Sequence, residues 1–273
     1  MFRLVVFDLD STLAPLGKGI GEKELDLFKK IEKKGIRIAI CSGKTCDYLC
    51  GFMRQVGLED PILIGEKELE LLKKMEAKGV RIAICSGKTC DYLCGFLRQV
   101  GIQDPILIGE NGAVIRFGVD LPPRHYHRIP ILEDTALALK EIRQILETHF
   151  PHIWFQPNKV GVTPFPTCEK EFEEIQKILD DWMLGKEGIQ VFRHIDSFDI
   201  VPAGLDKAIG IQYVLEQLGV TTKEIVTVGD GVNDYCMFEL AEYSVGVNVK
   251  EPYRVNKNCL TTLEMLEYLY NII

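Results

Sequence analysis

The sequence lacks the features typical of a membrane-spanning, secreted or nucleic-acid-binding protein. No apolar run approaches the roughly 20 residues that a membrane-spanning helix needs, and the apolar part of the N-terminus is too short for a signal peptide. The formal net charge is −8, with 40 acidic and 32 basic residues. A negative balance disfavours nucleic acid or an anionic membrane as the main partner. We therefore expect a cytoplasmic protein that acts on a small molecule; the oligomeric state does not follow from the sequence.

Histidine is scarce, and cysteine lacks the pattern of a metal site or a disulfide framework. The chain has five histidines and nine cysteines in 273 residues. Cys46 and Cys50 are one helical turn apart, but no histidine or second close pair completes the four ligands of a structural zinc site. An odd number of cysteines without a secretion signal indicates reduced, mostly buried thiols.

The chain contains a long internal repeat. Residues 21–64 (the first unit) and residues 65–108 (the second unit) are near copies that differ at only eight positions. Two copies fall short of the three or more that a solenoid needs, so we interpret them as a tandem duplication inside another fold. Each unit has the pattern helix, strand, helix, strand. This alternation predicts an α/β protein with a parallel sheet.

Two predicted strands end in pairs of carboxylates. LVVFDLDSTL at residues 4–13 is an apolar strand followed by Asp8 and Asp10, whose side chains point the same way. GDGVND at residues 229–234 follows a second apolar strand and supplies Asp230 and Asp234. Ligands collect at the carboxyl ends of parallel strands, so the four carboxylates should share one crevice. Carboxylates brought together require a cation, and an all-oxygen ligand set suits magnesium better than zinc.

A possible phosphate site follows a strand in each unit. The first unit offers Ser42, Gly43 and Lys44, and the second offers Ser86, Gly87 and Lys88. A hydroxyl group, exposed backbone amides and a helix N-terminus form an anion site. Together with a carboxylate nucleophile, a second carboxylate for proton transfer and a metal, such a site predicts phosphoryl transfer.

These motifs resemble those of the haloacid dehalogenase superfamily: DxDxT, a Ser at a strand end, a Lys, and GDxxND. The resemblance covers nearly the whole chain. The insertion between Asn111-Gly112 and Leu205-Asp206-Lys207 is similar to that of Cof-type sugar phosphatases and phosphomannomutases. The resemblance implies an α/β fold with a Rossmann-like, three-layer parallel-sheet core at residues 1–112 and 203–273, and an inserted α+β cap domain at residues 113–202. We expect the duplicated αβαβ unit to extend the core sheet.

The resemblance also implies residue roles. Asp8 would be the nucleophile that forms an aspartyl-phosphate, and Asp10 would protonate the leaving alcohol and then activate water. Mg²⁺ would be held by Asp8, Asp10 and Asp230, and Lys207 would neutralise the phosphoryl oxygens. Supporting roles fall to Thr12, Asn233 and Asp234. Position in the cap suggests three substrate-facing residues, Arg193, His194 and Asp196.

The duplication leaves two questions open. Consecutive strands are usually neighbours, so the strand ending at Cys41 should lie beside the first strand, which favours Ser42 as the phosphate ligand. In the alternative, Ser86 takes that place and the first unit is displaced or swapped into another subunit. The leading hypothesis for function is a magnesium-dependent phosphatase of small phosphorylated metabolites, such as sugar phosphates. The alternatives are a phosphomutase and a duplicated or engineered scaffold with impaired catalysis.

Overall fold

The fold is known from a computed structural model. It describes residues 4–7, 19–33, 37–40, 48, 51–52, 66–102, 104–184, 186–230 and 232–272. Five predicted site residues lie outside these ranges: Asp8, Asp10, Thr12, Ser42 and Gly43. Among the described helices, none is both long and apolar enough to cross a membrane.

Helices and strands alternate along both units and again near the C-terminus. The first 112 residues contain β1 (Leu4–Phe7), α1 (Glu22–Lys33), β2 (Arg37–Ile40), α2 (Glu66–Ala77), β3 (Ala83–Cys85), α3 (Cys90–Val100) and β4 (Ile106–Gly109), followed by a 3₁₀ turn (Glu110–Gly112). Next come β5 (Val114–Phe117), β6 (His125–Arg128), α4 (Glu133–His149), β7 (Trp154–Phe155), β8 (Pro164–Phe165), α5 (Glu169–Met183), β9 (Ile189–Arg193) and β10 (Phe198–Pro202). The chain ends with α6 (Lys207–Leu218), β11 (Val226–Gly229), a 3₁₀ turn (Val232–Asp234), α7 (Tyr235–Leu240), β12 (Tyr243–Val247), β13 (Lys257–Cys259) and α8 (Thr262–Ile272).

The predicted pairing of the first strand with the first unit is confirmed. β1 runs parallel to β2, with Leu4 opposite Arg37 and Phe7 opposite Ile40. In the second unit, β3 runs parallel to β4, and β5 and β6 continue that sheet in antiparallel fashion. A third sheet has the parallel order β11-β12-β13. These parallel strands with intervening helices confirm the predicted α/β class.

The expected extension of one core sheet by a duplicated unit is absent from the part of the chain that the structure describes. There, β1 and β2 form a two-stranded sheet that is not hydrogen-bonded to β3. The physical reason is that the two units meet helix against helix. Tyr48 and Phe52 of the first unit are buried in one apolar cluster with Leu93 and Leu97 of α3.

The second unit is integrated into the main core. Met75 of α2 is buried in a cluster with Val245 of β12 and Leu266 of α8. Leu27 of α1 is 57% exposed, whereas Leu71, which occupies the equivalent position in α2, packs against the same cluster. The near-identical units therefore occupy different environments.

The helix after β3 is capped by a threonine. α3 begins at Cys90, and the Thr89 side chain accepts a hydrogen bond from the Tyr92 amide at 3.2 Å. The helix ends at Gly101, whose φ of 83° is in the left-handed region that glycine adopts without steric cost. Ser86 therefore lies outside the helix, in the turn that connects β3 to α3.

The inserted segment builds a second apolar core. Ile142 and Leu146 of α4 pack with Ile175 and Leu179 of α5 against Phe198 of β10. Within residues 113–202, β5 and β6 are instead hydrogen-bonded to the sheet of β3 and β4, because the chain turns back at the 3₁₀ turn. The second core therefore begins at α4, whereas the boundary predicted from the sequence was residue 113.

Candidate active site

Lys207 and Asp234 form a buried ion pair where α6 meets the turn after β11. The Lys207 Nζ atom donates to Asp234 Oδ1 at 2.6 Å, and the two side chains are only 7% and 6% exposed. Asp206 caps α6 by accepting a hydrogen bond from the Ile209 amide at 3.1 Å. The N-cap thus places Lys207 in the first turn of α6, with its side chain directed towards the turn after β11.

Two glycines allow the backbone to approach this ion pair closely. A β-carbon on Gly112, whose φ is 100°, would lie 2.2 Å from the main-chain oxygen of Asp206. A β-carbon on Gly229 would lie 2.6 Å from Asp234 Oδ2. Contacts this short exclude any larger side chain, so α6 and the turn after β11 depend on these glycines to bring Lys207 and Asp234 together.

Asp230 adds a second carboxylate to the cluster. Its backbone amide donates to Asp234 Oδ2 at 2.9 Å. Partial burial and the nearby Asp234 carboxylate raise the pKa of Asp230, and Lys207 offsets this only in part. Two carboxylates thus face one lysine, which leaves an excess of negative charge. We call Lys207, Asp230 and Asp234 the acid–lysine cluster.

The strand end of the second unit lies next to this cluster. The thiol of Cys85 is 4.0 Å from the main-chain oxygen of Lys207. Burial raises the pKa of that thiol to about 12, which disfavours the nucleophilic thiolate form. The turn that follows, residues 86–88, is called the serine turn. It begins with Ser86, whose Oγ atom accepts a hydrogen bond from the Lys88 amide at 3.2 Å. The serine turn and the acid–lysine cluster therefore lie at the same edge of the core.

A buried aspartate of the cap joins this edge. Asp199 of β10 accepts hydrogen bonds from Asn111 Nδ2 at 2.7 Å and from Thr163 Oγ1 at 2.7 Å, and it pairs with His194 Nε2 at 3.0 Å. A β-carbon on Gly87 would lie 2.8 Å from its carboxylate. Burial opposes ionisation of Asp199, but these hydrogen bonds outweigh it and hold the pKa of the carboxyl below its usual value.

Two further hydrogen-bonded contacts hold the cap against the core. Gln156 Nε2 donates to the main-chain oxygen of Gly87 at 2.8 Å. The buried carboxylate of Glu110 accepts hydrogen bonds from the amides of Lys159 and Val160, each at 2.9 Å to Oε2. Burial raises the pKa of Glu110, and the amides that bond to it partly offset the effect. The cap therefore contacts the serine turn directly.

A cavity of about 290 Å³ opens between the cap and α7, beside Lys207. Its wall combines hydrogen-bonding side chains with two aromatic rings: Asn111, Gln190, Phe192, Gly204, Asp206, Lys207, Val232, Asn233, Tyr235, Cys236 and Glu239. The cavity is large enough for a small metabolite, and Lys207 contributes a cationic side chain to its lining.

The structure brings together some of the predicted site residues and separates others. Lys207, Asp230 and Asp234 meet, Asn233 lines the neighbouring cavity, and Ser86 and Gly87 lie at the same edge. Of the predicted cap residues, His194 reaches Asp199. Arg193 instead stacks over Phe172 at 4.6 Å and bonds to Gln176 of α5, and Asp196 is exposed beside Ser197.

Sequence reasoning missed Asp199, Gln156 and Glu110. One signal was present in the sequence for Asp199: it is the only polar residue in the otherwise apolar run Phe198-Asp199-Ile200-Val201. A carboxylate inside an apolar strand needs hydrogen-bond donors, which marks it for attention. No comparable signal singles out Gln156 or Glu110, since their partners are backbone groups far away in the chain.

Comparison with known proteins identifies the family of this site. A family model described as haloacid dehalogenase-like hydrolase matches residues 5–66, 63–177 and 156–262. The chain belongs to this family. The match confirms the resemblance drawn from the motifs and the expectation that the protein is an enzyme.

Known relatives resemble this hydrolase over most of its length. A phosphoglycolate phosphatase of Thermoplasma volcanium is 26% identical over 240 residues, which cover 88% of this chain and 82% of that protein. A solved structure from Thermotoga maritima has a TM-score of 0.54 at 17% identity, covering 100% of this chain and 98% of the other. A haloacid dehalogenase-like hydrolase from Bacteroides thetaiotaomicron has a TM-score of 0.51 at 18% identity, with 100% of both chains covered. The two structures support the same fold.

Proposed function

We propose that this hydrolase is a magnesium-dependent phosphatase of small phosphorylated metabolites, acting through an aspartyl-phosphate on Asp8. The observation that carries the proposal is the buried Lys207–Asp234 pair beside Asp230, the serine turn and a cavity. A buried cation, hydroxyl and amide donors, and carboxylates are what phosphoryl transfer requires. The name of the relative from Thermoplasma volcanium supports a phosphatase with a small substrate.

The donor set of the acid–lysine cluster fits magnesium. Asp230 and Asp234 supply carboxylate oxygens, and Lys207 offsets only one of their charges. Hard oxygen donors with excess negative charge favour a hard divalent cation. Asp230 would hold it together with Asp8 and Asp10, which lie outside the described residues. When bound, the metal would supply charge neutralisation at the phosphoryl oxygens.

Each protein group then has one task. The Ser86 hydroxyl and the neighbouring amides bind the phosphoryl oxygens, and Lys207 neutralises their charge. An Asp8 oxygen forms a bond to phosphorus while the bond from phosphorus to the leaving alcohol breaks, and Asp10 gives that alcohol a proton. Asp10 then takes a proton from a water molecule while the water oxygen attacks phosphorus. The bond between phosphorus and Asp8 breaks, which releases phosphate and restores the Asp8 carboxylate. Asp234 holds Lys207 in place throughout, through the 2.6 Å hydrogen bond.

Ser86 is assigned to this task in preference to Ser42, which the strand order had favoured. The support is that β3 ends within 4.0 Å of Lys207. Ser42 lies outside the described residues, so the two serines are to be compared by substitution. Ser86→Ala should lower kcat/KM, and Ser42→Ala should leave it nearly unchanged.

The test of the whole proposal is hydrolysis of p-nitrophenyl phosphate with and without Mg²⁺. Asp8→Asn should abolish turnover, because the amide oxygen is a poor nucleophile. Asp181→Asn, on the exposed surface of α5, is the matched control and should keep full activity. Full activity in Asp8→Asn would end the proposal.

One observation favours the alternative of impaired catalysis. β1 carries the chain towards Asp8 and pairs with β2, whereas the acid–lysine cluster lies beside β3. In this alternative, Asp8 stays with the first unit, away from a phosphate bound at Ser86. Turnover near background in a folded protein that binds Mg²⁺ would support this alternative.

A further inference from the structure

The two units contact each other through the same helix. Tyr48, Gly51 and Phe52 are helical in the first unit, and α3 is the corresponding helix of the second. Along residues 46–56 and 90–100 the two sequences are identical except at Met53 and Leu97. Tyr48 corresponds to Tyr92, and Gly51 corresponds to Gly95. The contact is therefore one between two copies of one helix.

The contact is reciprocal. A β-carbon on Gly51 would lie 2.0 Å from the Tyr92 oxygen, and a β-carbon on Gly95 would lie 2.0 Å from the Tyr48 oxygen. Each copy thus places the same glycine against the same carbonyl group of the other. The two helices run antiparallel. Tyr48 comes before Gly51 in the first unit, whereas Gly95, the partner of Tyr48, comes after Tyr92, the partner of Gly51. Such an arrangement has local two-fold symmetry, like the isologous interface of a homodimer.

The contact is tight and buried. Tyr48 is 2% exposed and Phe52 is 0% exposed. Arg98 of α3 is 3% exposed, donates to the Tyr48 hydroxyl at 3.0 Å and stacks over the Phe52 ring at 5.3 Å. Glycine has no β-carbon, so it lets the two helix backbones approach this closely. Every residue type that makes the contact is present in both units.

We propose that this helix face is a homotypic interface, whose natural partner is a second copy of the same unit. In this chain, the helix of the first unit binds to that face of α3 within the same molecule. The inference does not depend on the proposed phosphatase activity. It follows that blocking the first-unit helix should free the α3 face to pair with α3 of another molecule.

Gly51→Leu is the test, because leucine is a good helix former and cannot fit against the Tyr92 carbonyl. The variant should have twice the molar mass of the unchanged protein by light scattering on a sizing column. Hydrogen exchange should show residues 90–100 still protected. The double variant Gly51→Leu/Gly95→Leu exposes the same apolar surface but lacks the glycine on α3, and it should keep the mass of the unchanged protein.

Two outcomes would overturn the proposal. One is a Gly51→Leu protein whose mass is unchanged. The other is a double variant that also doubles its mass, since association would then reflect exposed apolar surface alone. If Gly51→Leu does not fold, excision of residues 21–64 replaces it. The excised chain keeps one copy of the helix and should dimerise, Gly95→Leu should abolish the dimer, and a monomeric excised chain would refute the interface.

Discussion

Replacing Lys207 with methionine should destabilise the protein by about 3–5 kcal/mol, the usual cost of leaving one member of a buried ion pair unpaired. Methionine has a similar length and volume but no charge, so the change isolates the electrostatic contribution. The partner is Asp234, which is 6% exposed and receives the Lys207 hydrogen bond at 2.6 Å. Its second oxygen is already bonded to the Asp230 amide.

The structure supports a magnitude of this size. At an effective dielectric constant of about 20, two unit charges 2.6 Å apart attract by roughly 6 kcal/mol. Part of that energy is not lost in the variant, because methionine does not have to be desolvated as lysine does. The remainder is the cost of a buried carboxylate that faces Asp230 without a cation.

Urea unfolding at neutral pH in the presence of EDTA measures the loss. Lys207→Met/Asp234→Asn is the matched control: it removes both charges and should recover more than half of the stability lost in Lys207→Met. A loss below about 1 kcal/mol in Lys207→Met, the range of exposed ion pairs, would refute the reasoning. Excess Mg²⁺ should partly restore the single variant, since a bound cation offsets the same carboxylates.

Three further predictions concern the units, the cap and the α6 turn. Excision of residues 21–64 should leave kcat/KM for p-nitrophenyl phosphate unchanged or higher, because β1 then has only the second unit to pair with; loss of activity in a folded, excised protein would assign the site to the first unit. Asp199→Asn should lower Tm at pH 7, and the difference from the unchanged protein should shrink as the pH falls. The Asp199 carboxyl has a depressed pKa, so its stabilisation is present above about pH 4 and is lost at lower pH; a difference that stays constant down to pH 3 would contradict this. Gly112→Ala should cost about 1–3 kcal/mol and lower kcat, because φ is 100° and the new β-carbon would press on Asp206; Gly204→Ala, with a positive φ but open space, is the control that separates backbone strain from this contact.

The acid–lysine cluster was largely predictable, because its residues follow apolar strands or begin a helix. Asp230 and Asp234 occur in a glycine-rich turn, and Lys207 occurs at the start of an amphipathic helix, so their approximate place follows from local pattern and parallel topology. The burial of the Lys207–Asp234 pair was not predictable. It depends on Gly112 and Asp206 meeting across a large separation in the chain.

The contacts between cap and core were less accessible to sequence reasoning. Position in the cap predicts Arg193, His194 and Asp196 as substrate-facing residues, but of these three only His194 reaches the shared edge, through Asp199. Alternation along β9 and β10 predicts strands but does not say which polar residues face the core. That choice is made by the docking of the cap, in which Gln156 and Glu110 bind backbone groups that have no sequence signature.

The sequence by itself determined the α/β alternation, the family motifs and the presence of two nearly identical units. It could not determine which unit joins the core, because equal sequences have equal local propensities and equal apolar patterns. Only tertiary packing distinguishes them: α2 packs against α8 and β12, whereas Leu27 of α1 remains exposed. The same packing places Ser86 at the edge occupied by Lys207 and Asp234. The burial of apolar surface, which depends on where a unit lies and not on its local sequence, separates two otherwise equivalent units.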